Sequence, residues 1–185
     1  MTFTITTERL ILRDFTPHDV EAYFQQCQDP KYQRFYSDED CSAEKCAFLV
    51  NLFYEQAQQS PRQAYHLAVT DRFTGEYMGI AGLRLENDQQ ASSGCGLKRT
   101  FHHSGLAVEA MSALLDFAFN RLNVHRVYAE TISKNRPAIK LCRQLGMTQE
   151  AEFIENRFFK ESWWNTVVLA VRRSQWSPEL FKDDQ

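Results

Sequence analysis

The chain has 185 residues, 43% of them hydrophobic and 24% charged, which is enough for one globular domain with a full-sized core. Its net charge of −3 gives no electrostatic reason to expect DNA or an anionic membrane as a partner. The 5 cysteines contain no C-x-x-C pair, which argues against a disulfide framework or a thiolate zinc site. We expect a single domain over residues 1–185 in the reducing cytoplasm, with no signal peptide or membrane span.

The N-terminal third is predicted to form a strand followed by two helices. Residues 3–13 alternate polar and apolar side chains, as strands do. The segment that starts at Thr16 combines an N-cap residue, a first-turn proline and an acidic third position, which is typical of a helix start. A polar, aromatic-containing loop, "DPKYQRFYSDEDCS", separates this helix from a second one over residues 42–58.

The middle of the chain changes to the two-residue period of strands. Residues 63–70 and 76–86 predict a hairpin around "DRFTGE", in which Gly75 can take a positive φ. The stretch "NDQQASSG" is typical of a second polar turn, and we expect only a short strand, "CGLKR", after it. This short strand leads into the most informative part of the sequence.

The remaining elements alternate between helices and strands. The next helix ends near Asn123 and carries an apolar stripe at alternating three- and four-residue steps, formed by Val108, Met111, Leu115, Ala118 and Leu122. A strand over 124–132, a helix over 135–146 and two strands within 153–171 follow. The order predicts a mixed α/β (α+β) fold.

The turn "RTFHHSGLA" before the long helix suggests an anion site. A helix start offers free N–H groups and the positive end of the dipole, and Gly105 allows a ligand close to the backbone. A hydroxyl hydrogen bond from Ser104 and positive charge from Lys98, Arg99, His102 and His103 would help to bind phosphate. The alternative is an ordinary turn, because neither a dinucleotide-binding nor a Walker glycine pattern is present.

Three stretches resemble one known family, the GNAT N-acetyltransferases, in the branch of the Rim-type ribosomal-protein N-terminal acetyltransferases. They are "TERLILRDFTPHDVEAYF", "GIAGLRL" and "HHSGLAVEAMSALLDFAFNRLNVHRVYAETISKNRPAIKLCRQLGM". The resemblance implies the GNAT fold, with a central mixed, mostly antiparallel sheet flanked by helices. It also implies acetyl-CoA as cosubstrate and direct attack by a primary amine in a ternary complex.

The resemblance also implies a set of cofactor-binding residues. The pyrophosphate would lie over His102, His103, Ser104, Gly105, Leu106 and Ala107. Asn135 would hold the pantetheine arm, Lys140 would approach the phosphates, and the N–H of Leu97 would polarise the thioester. The family usually has arginine or glutamine at His102 and often glycine at His103. A helix N-cap role for Asn135 and a solvated helix face for Lys140 are the alternatives.

The side chains that act as base and acid in the family are absent from their usual positions. Ser92 replaces the glutamate base, and Cys142 and Ala138 stand where a tyrosine or serine acid would be. We therefore take three residues as candidate substitutes in catalysis: Glu155, Ser133 and His66. The 5 histidines contain no H-x-x-x-H pair, so no metal is expected.

The acceptor is less well defined by the sequence. The aromatic loop and the "NRFFKESWWN" turn are candidate walls of an acceptor cleft, with Asp38, Glu39 and Asp40 attracting an ammonium group. The Rim-type resemblance implies the N-terminal α-amine of a ribosomal protein or peptide. A small-molecule amine or antibiotic acetyltransferase, a non-catalytic acyl-CoA-binding module and a ribosome-associated assembly factor are the alternatives. The chain is expected to be a monomer or a homodimer.

Overall fold

The computed structural model describes residues 2–102 and 104–177 and contains an eight-stranded sheet. Its strands are β1 (Thr4–Thr6), β2 (Leu10–Asp14), β3 (Ala64–Asp71), β4 (Tyr77–Leu85), β5 (Gln90–Leu97), β6 (Arg126–Ile132), β7 (Thr148–Phe159) and β8 (Ser162–Arg172). Their order is β1-β2-β3-β4-β5-β6-β8-β7, and all neighbours are antiparallel except β5 and β6. The predicted mixed, mostly antiparallel sheet is confirmed.

Helices cover both faces of this sheet. They are α1 (Val20–Cys27), α2 (Pro30–Gln33), α3 (Ala43–Ala57), α4 (Leu106–Asn120) and α5 (Arg136–Gln144). The short helix α2 lies inside the loop that the sequence predicted to be irregular. Asp29 starts it by accepting hydrogen bonds from the N–H groups of Lys31 and Tyr32. Within the described ranges, no helix is long and apolar enough to cross a membrane.

Three strand boundaries differ from the predictions, and one of them is the start of β7, at Thr148 instead of near residue 153. The strand predicted over 3–13 is divided into β1 and β2, because the chain turns at the polar residues around Thr7. The N–H of Thr7 donates to the Leu10 carbonyl and closes this turn. The predicted polar turn over 87–94 is shorter than expected, with positive φ at Asp88 and Gln89. The small residues that follow belong to β5 and pair with β4.

The larger core lies between the sheet and α4. Leu114, Leu115 and Phe119 on this helix are fully buried. Of the predicted stripe, Met111, Leu115 and Ala118 are buried. Val108 and Leu122 are partly buried and pack against the same cluster. Burial of an apolar face of this size is the main force that holds α4 against the sheet.

A smaller core on the opposite face holds α1 and α3. Phe15 is fully buried there and meets Tyr23 and Phe53 at centroid distances of 6.0 and 5.4 Å. The start of α1 is fixed by Asp19, which accepts hydrogen bonds from the backbone of Thr16 and from the Arg13 guanidinium. The predicted helix start is confirmed, and it places α1 above the middle of the sheet.

Candidate functional site

The parallel strands β5 and β6 pair over only part of their length. Their ladder joins Gln90–Ser92 to Arg126–Tyr128, and no pairing follows although β5 continues to Leu97 and β6 to Ile132. At the point of divergence, the Ser93 hydroxyl donates to the Tyr128 carbonyl at 3.2 Å. The carboxyl ends of two central strands are therefore separated by a wedge-shaped gap.

Backbone groups of β5 face this gap. The N–H of Lys98 donates to the Met78 carbonyl on β4 at 2.8 Å. Because N–H directions alternate along an antiparallel ladder, the N–H of Leu97 points the opposite way, toward β6. The predicted position for polarising a carbonyl thus lies at the wall of the gap, and the Leu97 side chain is buried in the core behind it.

Helix α4 begins beside the end of β5 through a left-handed residue. Gly105 is the N-cap, with φ of 74°, and its carbonyl accepts the first helical hydrogen bond from the Glu109 N–H. The N–H groups of the first helical residues, which include Leu106 and Ala107, have no partner inside the helix. The turn and the gap together can receive an elongated ligand with an anionic part.

The polar residues of the turn take specific positions. His102 Nε2 donates to the Leu97 carbonyl at 2.9 Å, and the Ser104 hydroxyl donates to the Phe101 carbonyl at 2.7 Å. Arg99 pairs with Asp29 at 2.9 Å and Lys98 lies over the Tyr77 ring, so both cations have partners away from the turn. The predicted ligand His103 lies outside the described residues.

A guanidinium that the sequence did not indicate lies against this turn. Arg9, between β1 and β2, donates to the Ser104 carbonyl at 3.0 Å. Glu109 of α4 holds Arg9 in place, accepting from its Nε at 2.7 Å and from its N–H at 2.8 Å, and also accepts from the Thr7 hydroxyl at 2.6 Å. An arginine 95 residues distant from Ser104 in sequence gives no local signal of this contact.

The Glu109 carboxylate is held in its charged form. Burial by itself would raise the pKa of Glu109, but the hydrogen bonds from Thr7 and Arg9 outweigh this effect and the pKa lies below its usual value. The ion pair that positions Arg9 is therefore intact throughout the neutral range. We call Arg9, Glu109 and Thr7 the arginine clamp.

The residues predicted after β6 lie at the other wall of the gap. Asn135 caps α5, accepting from the Ala138 N–H at 3.4 Å and donating to the Thr131 hydroxyl at 3.1 Å. Ser133 is partly buried in the turn before it, and its N–H bonds the Asn165 carbonyl. The capping role of Asn135 is present, and the residue lies just beyond the carboxyl end of β6.

Lys140 belongs to a basic face of α5. It borders an open groove of about 600 Å³ whose lining residues are Arg136, Ile139, Lys140, Arg143 and Gln144. Three of these carry positive charge and recur at four- and three-residue steps, which places them on one side of the helix. The face can attract phosphate groups.

A second cavity lies on the opposite face of the sheet, beside the gap. It has a volume of about 340 Å³, and we call it the acceptor cavity. It is lined by Tyr23, Tyr32, Tyr36, His66, Ile80, Gly82, Leu83, Arg84, Ser92, Ser93, Gly94, Cys95 and Gly96. Its floor consists largely of backbone, because three glycines face it from β4 and β5.

Close packing explains two of these glycines. A Cβ atom on Gly82 would lie 3.0 Å from His66 Cδ2, and one on Gly96 would lie 3.1 Å from Gln26 Nε2. Gln26 connects α1 to the cavity floor by donating to the Gly96 carbonyl at 2.7 Å. A Cβ atom on Gly94 would meet nothing within 4 Å and would enter the open space.

His66 is the imidazole of this cavity. Its Nδ1 lies 3.1 Å from Gln56 Oε1, and its ring stacks on Phe53. Burial, with the positive charges of Arg84 and Arg62, lowers the pKa of His66 to about 4. The ring is therefore neutral at physiological pH, and donation from Nδ1 to the Gln56 amide oxygen leaves Nε2 able to accept a proton.

The other candidate catalytic and acidic residues lie outside the lining of the cavity. Glu155 is exposed in an irregular part of the edge strand β7, with φ of 48°, and its N–H donates to Asn165 Oδ1. Asp38 is almost fully exposed and lies 3.6 Å from Lys160. Asp40 accepts from the Ser37 hydroxyl at the loop surface.

Two thiols lie on the elements beside the gap, and Cys95 is only partly buried. Cys142 on α5 is buried, and burial raises its pKa to about 11. Burial, with the nearby Cys142, raises the pKa of Cys95 on β5 to about 12. Both therefore carry their protons at neutral pH. Across residues 2–102 and 104–177, no three His, Cys, Asp or Glu side chains are grouped to hold a metal ion.

Comparisons with known proteins agree with this geometry. A family model described as an acetyltransferase (GNAT) domain matches residues 9–148. The uncharacterized N-acetyltransferase YnaD of Bacillus subtilis (strain 168) is 22% identical over 173 residues, which cover 94% of this chain and 99% of that protein. The spermidine N(1)-acetyltransferase of Escherichia coli (strain K12) is 27% identical over 79 residues, which cover 43% of this chain and 42% of that protein.

Solved structures show the same fold. The ribosomal-protein-S5-alanine acetyltransferase from Vibrio fischeri matches with a TM-score of 0.78 and 17% identity, over 95% of this chain and 100% of that chain. The family model covers well over half of the chain and includes the gap, the turn and the acceptor cavity. The chain therefore belongs to the GNAT acetyltransferase family and is an acyltransferase.

Proposed function

We propose that the chain transfers an acetyl group from acetyl-CoA to the N-terminal α-amine of a protein or peptide. The observation that carries this proposal is the gap between β5 and β6, because β5 ends near the Gly105 turn and its residues 92–96 line the acceptor cavity. GNAT enzymes use acetyl-CoA as cosubstrate, and a gap of this kind suits its long, narrow pantetheine arm. The anionic end would bind at the turn and the acetyl end would reach the cavity.

The residues present suit the chemistry of the cosubstrate. The helix start at Gly105 and the Arg9 guanidinium offer N–H donors to the pyrophosphate, and Glu109 balances the charge of Arg9. The basic face of α5, with Lys140, would attract the remaining phosphate. Asn135 at the end of β6 would hold the amide groups of the pantetheine arm, with His102, Ser104, Leu106 and Ala107 completing the pyrophosphate turn. We extend the same role to His103.

The chain's own groups would assist transfer in three ways. The N–H of Leu97 would donate to the thioester oxygen as negative charge develops there, an effect that needs only a fixed donor. The cavity would hold the amine against the carbonyl, which replaces a chance encounter by a fixed geometry. The third contribution is removal of the amine proton by a base, and the CoA thiolate would leave without a side-chain acid, because a thiol with a pKa of about 8.5 is already a fair leaving group.

We favour His66 as the group that takes the proton from the amine. It lines the cavity, and its register partner Gly82 pairs in turn with Gly94, so the three residues form a row across neighbouring strands. The His66 ring reaches over β4, since a Cβ atom on Gly82 would lie 3.7 Å from its Nε2. From there, β5 is one strand spacing of about 4.8 Å away, which a water molecule can bridge to an amine. Glu155 and Ser133 stay candidates from the sequence, and neither lines the cavity.

The choice of a peptide α-amine rests on the likeness to ribosomal-protein acetyltransferases. The fold is shared with a ribosomal-protein-S5-alanine acetyltransferase, and the Rim-type resemblance points the same way. Relatives that include a spermidine N(1)-acetyltransferase keep a small-molecule amine open as the alternative. A non-catalytic acyl-CoA-binding module would bind acetyl-CoA and release no thiol with any amine, so CoA release in an amine panel separates the two classes.

Replacing Gly105 by valine should abolish acetyl-CoA binding, measured by calorimetry. The bulky side chain would lie at the phosphate turn and would impose φ of 74° on a β-branched residue. Gly75→Val is the matched control, because Gly75 has φ of 75° in the β3 to β4 turn with open space around it. Equal binding by wild type and Gly105→Val would remove the turn from the proposal.

Replacing Arg9 by glutamine should weaken acetyl-CoA binding about tenfold, because a hydrogen bond to a charged group contributes about 1.5 kcal/mol. Binding of acetyl-pantetheine, which lacks the pyrophosphate, should not change. Arg121→Gln, at the far end of α4, removes the same charge from an exposed position. A similar loss for both ligands would mean that Arg9 acts on the fold and not on the phosphate.

Replacing Gly94 by valine should leave acetyl-CoA binding intact and strongly reduce CoA release with any amine. The added side chain would fill open space in the acceptor cavity, on the opposite face of the sheet from α4. Binding is measured by calorimetry and turnover by a thiol reagent. Full turnover in this variant would place the acceptor elsewhere.

Replacing His66 by asparagine should lower kcat roughly a hundredfold, within the range for loss of a general base. Since the pKa of His66 is about 4, the imidazole stays neutral between pH 5 and 7, and protonation of His66 should not lower wild-type activity in this range. The deficit of the variant should shrink at high pH, where the amine loses its proton unaided. Glu155→Gln is the comparison, and a larger loss in that variant would make Glu155 the base.

A further inference from the structure

One carbonyl group on β5 is approached closely by two other elements. The Gly96 carbonyl oxygen accepts a hydrogen bond from Gln26 Nε2 of α1 at 2.7 Å. A Cβ atom on Gly79 of β4 would collide with the same oxygen. A Cβ atom on Gly96 itself would lie 3.1 Å from Gln26 Nε2 and 3.3 Å from Tyr32 Cε2. Glycine at both positions thus lets β4 and the side-chain amide come this close to the carbonyl.

The Gln26 side chain is held in place by a second hydrogen bond. Gln26 is 3% exposed, and its Oε1 accepts from the Tyr77 hydroxyl at 2.9 Å in the interior. Burial raises the pKa of Tyr77, so the phenol keeps its proton and stays a donor. Neither Gln26 nor Tyr77 belongs to the described lining of the acceptor cavity. Their connection to the site is the Gly96 carbonyl.

The Gly96 carbonyl and the Leu97 N–H belong to one planar peptide unit. In a trans peptide these two groups point in opposite directions, because resonance fixes their plane. The N–H of Leu97 faces the gap, since the N–H of the next residue, Lys98, donates to β4. A hydrogen bond accepted by the carbonyl draws electron density toward its oxygen and strengthens the N–H of the same unit as a donor. A chain of hydrogen bonds therefore runs from Tyr77 through Gln26 to this peptide unit.

We propose that Gln26 is a positioning residue for acetyl transfer, which holds the peptide plane between Gly96 and Leu97 and strengthens the Leu97 N–H as a donor to the thioester oxygen. Tyr77 acts through Gln26, because its hydroxyl bonds the amide oxygen and so directs the amide nitrogen at the Gly96 carbonyl. This role rests on the proposed function of the site. It is the same for a peptide and for a small-molecule acceptor.

The role predicts an effect on the rate and not on cosubstrate binding. The thioester oxygen gains negative charge only as the amine attacks, so a stronger donor stabilises the transition state more than bound acetyl-CoA. Complete loss of such a donor lowers kcat about a hundredfold to a thousandfold. Gln26 orients and strengthens the donor without being the donor, so we expect its removal to lower the rate about tenfold.

The first test replaces Gln26 by methionine, which has a similar length and donates no hydrogen bond. Calorimetry gives the Kd of acetyl-CoA. A single-turnover assay of the full chain with bound acetyl-CoA gives the transfer rate, using whichever of spermidine and a tetrapeptide that begins with serine reacts faster. We expect a rate about tenfold lower than that of wild type and an unchanged Kd.

The matched control is Gln28→Met. Gln28 follows the last turn of α1, and its Nε2 donates to the Cys41 carbonyl at 2.9 Å, so the same kind of hydrogen bond is lost in the loop before α3. Its transfer rate should equal that of wild type. Equal losses in the two variants, or a weaker Kd with an unchanged rate in Gln26→Met, would mean that the amide only supports the fold.

Tyr77→Phe tests the chain of hydrogen bonds with a smaller change. It removes one oxygen atom from the core, so it also tests the proposal if Gln26→Met does not fold. The rate should fall about threefold, because the amide stays in place but is no longer fixed. The double variant should be no slower than Gln26→Met, since Tyr77 acts only through the amide. A normal rate in Tyr77→Phe, or losses that multiply in the double variant, would contradict the chain.

The Leu97 amide gives a readout that needs no turnover. A hydrogen bond accepted by a carbonyl moves the amide nitrogen resonance of the following residue to higher frequency. In Gln26→Met the Leu97 nitrogen resonance should therefore move to lower frequency, and in Gln28→Met it should stay in place. An unchanged Leu97 resonance in Gln26→Met would show that the amide does not polarise this N–H.

The remaining outcomes separate this inference from the proposed function. If wild type transfers the acetyl group and Gln26→Met does so at the same rate, the role of Gln26 is wrong and acetyl transfer stands. If wild type binds acetyl-CoA and no amine releases CoA, the proposed acetyl transfer itself fails and the role of Gln26 falls with it.

Discussion

The early end of the ladder between β5 and β6 is the constraint on which the rest of the site depends. Backbone N–H and C=O groups in the middle of a sheet normally pair with the next strand, and leaving them without partners is costly. Here the pairing stops after Ser92, and the Ser93 hydroxyl takes over one carbonyl at the point of divergence. The N–H groups beyond it are left facing a gap, where a ligand with its own polar groups can bond them.

Each neighbouring element follows from this gap. Helix α4 must start at its wide end, so the chain reverses direction in a left-handed turn, for which Gly105 is suited. The arginine clamp ties that turn to the N-terminal strands. On the other face, the glycines place no side chains in the acceptor cavity, and Gln26 connects α1 to β5 by its hydrogen bond to the Gly96 carbonyl. The turn and the cavity thus both lie beside one irregularity in the sheet.

Local patterns in the sequence predicted the features that depend on neighbouring residues. The stripe on α4, the start of α1 and the cap at Asn135 are each determined within a few positions, and all three are present. For β5, which spans Gln90–Leu97, the sequence predicted only a short strand, because the small residues of this segment are typical of turns. Its extended form is imposed by pairing with β4, which no short window of sequence can show.

The site was predicted less completely, because its parts meet only in three dimensions. The Gly105 turn has a recognisable local pattern, and it precedes α4 as the sequence predicted. Arg9 reaches the turn across the sheet, and Lys98 and Arg99 turn away toward Tyr77 and Asp29. The acidic loop residues near Asp38 lie outside the acceptor cavity. The positions of charged residues along the sequence therefore did not predict which of them lie at the turn or line the cavity.

Amide hydrogen exchange with and without acetyl-CoA tests the central claim most directly. If acetyl-CoA bonds the free edge of β5, exchange should slow in the segments 93–97 and 104–108 and stay unchanged in the edge strand β7. The concentration should be one that raises the melting temperature of the chain, since a ligand at a hundred times its dissociation constant stabilises a fold by about 2.7 kcal/mol. Unchanged exchange over 93–97 at such a concentration would contradict the account, because the cosubstrate would then bind without entering the gap.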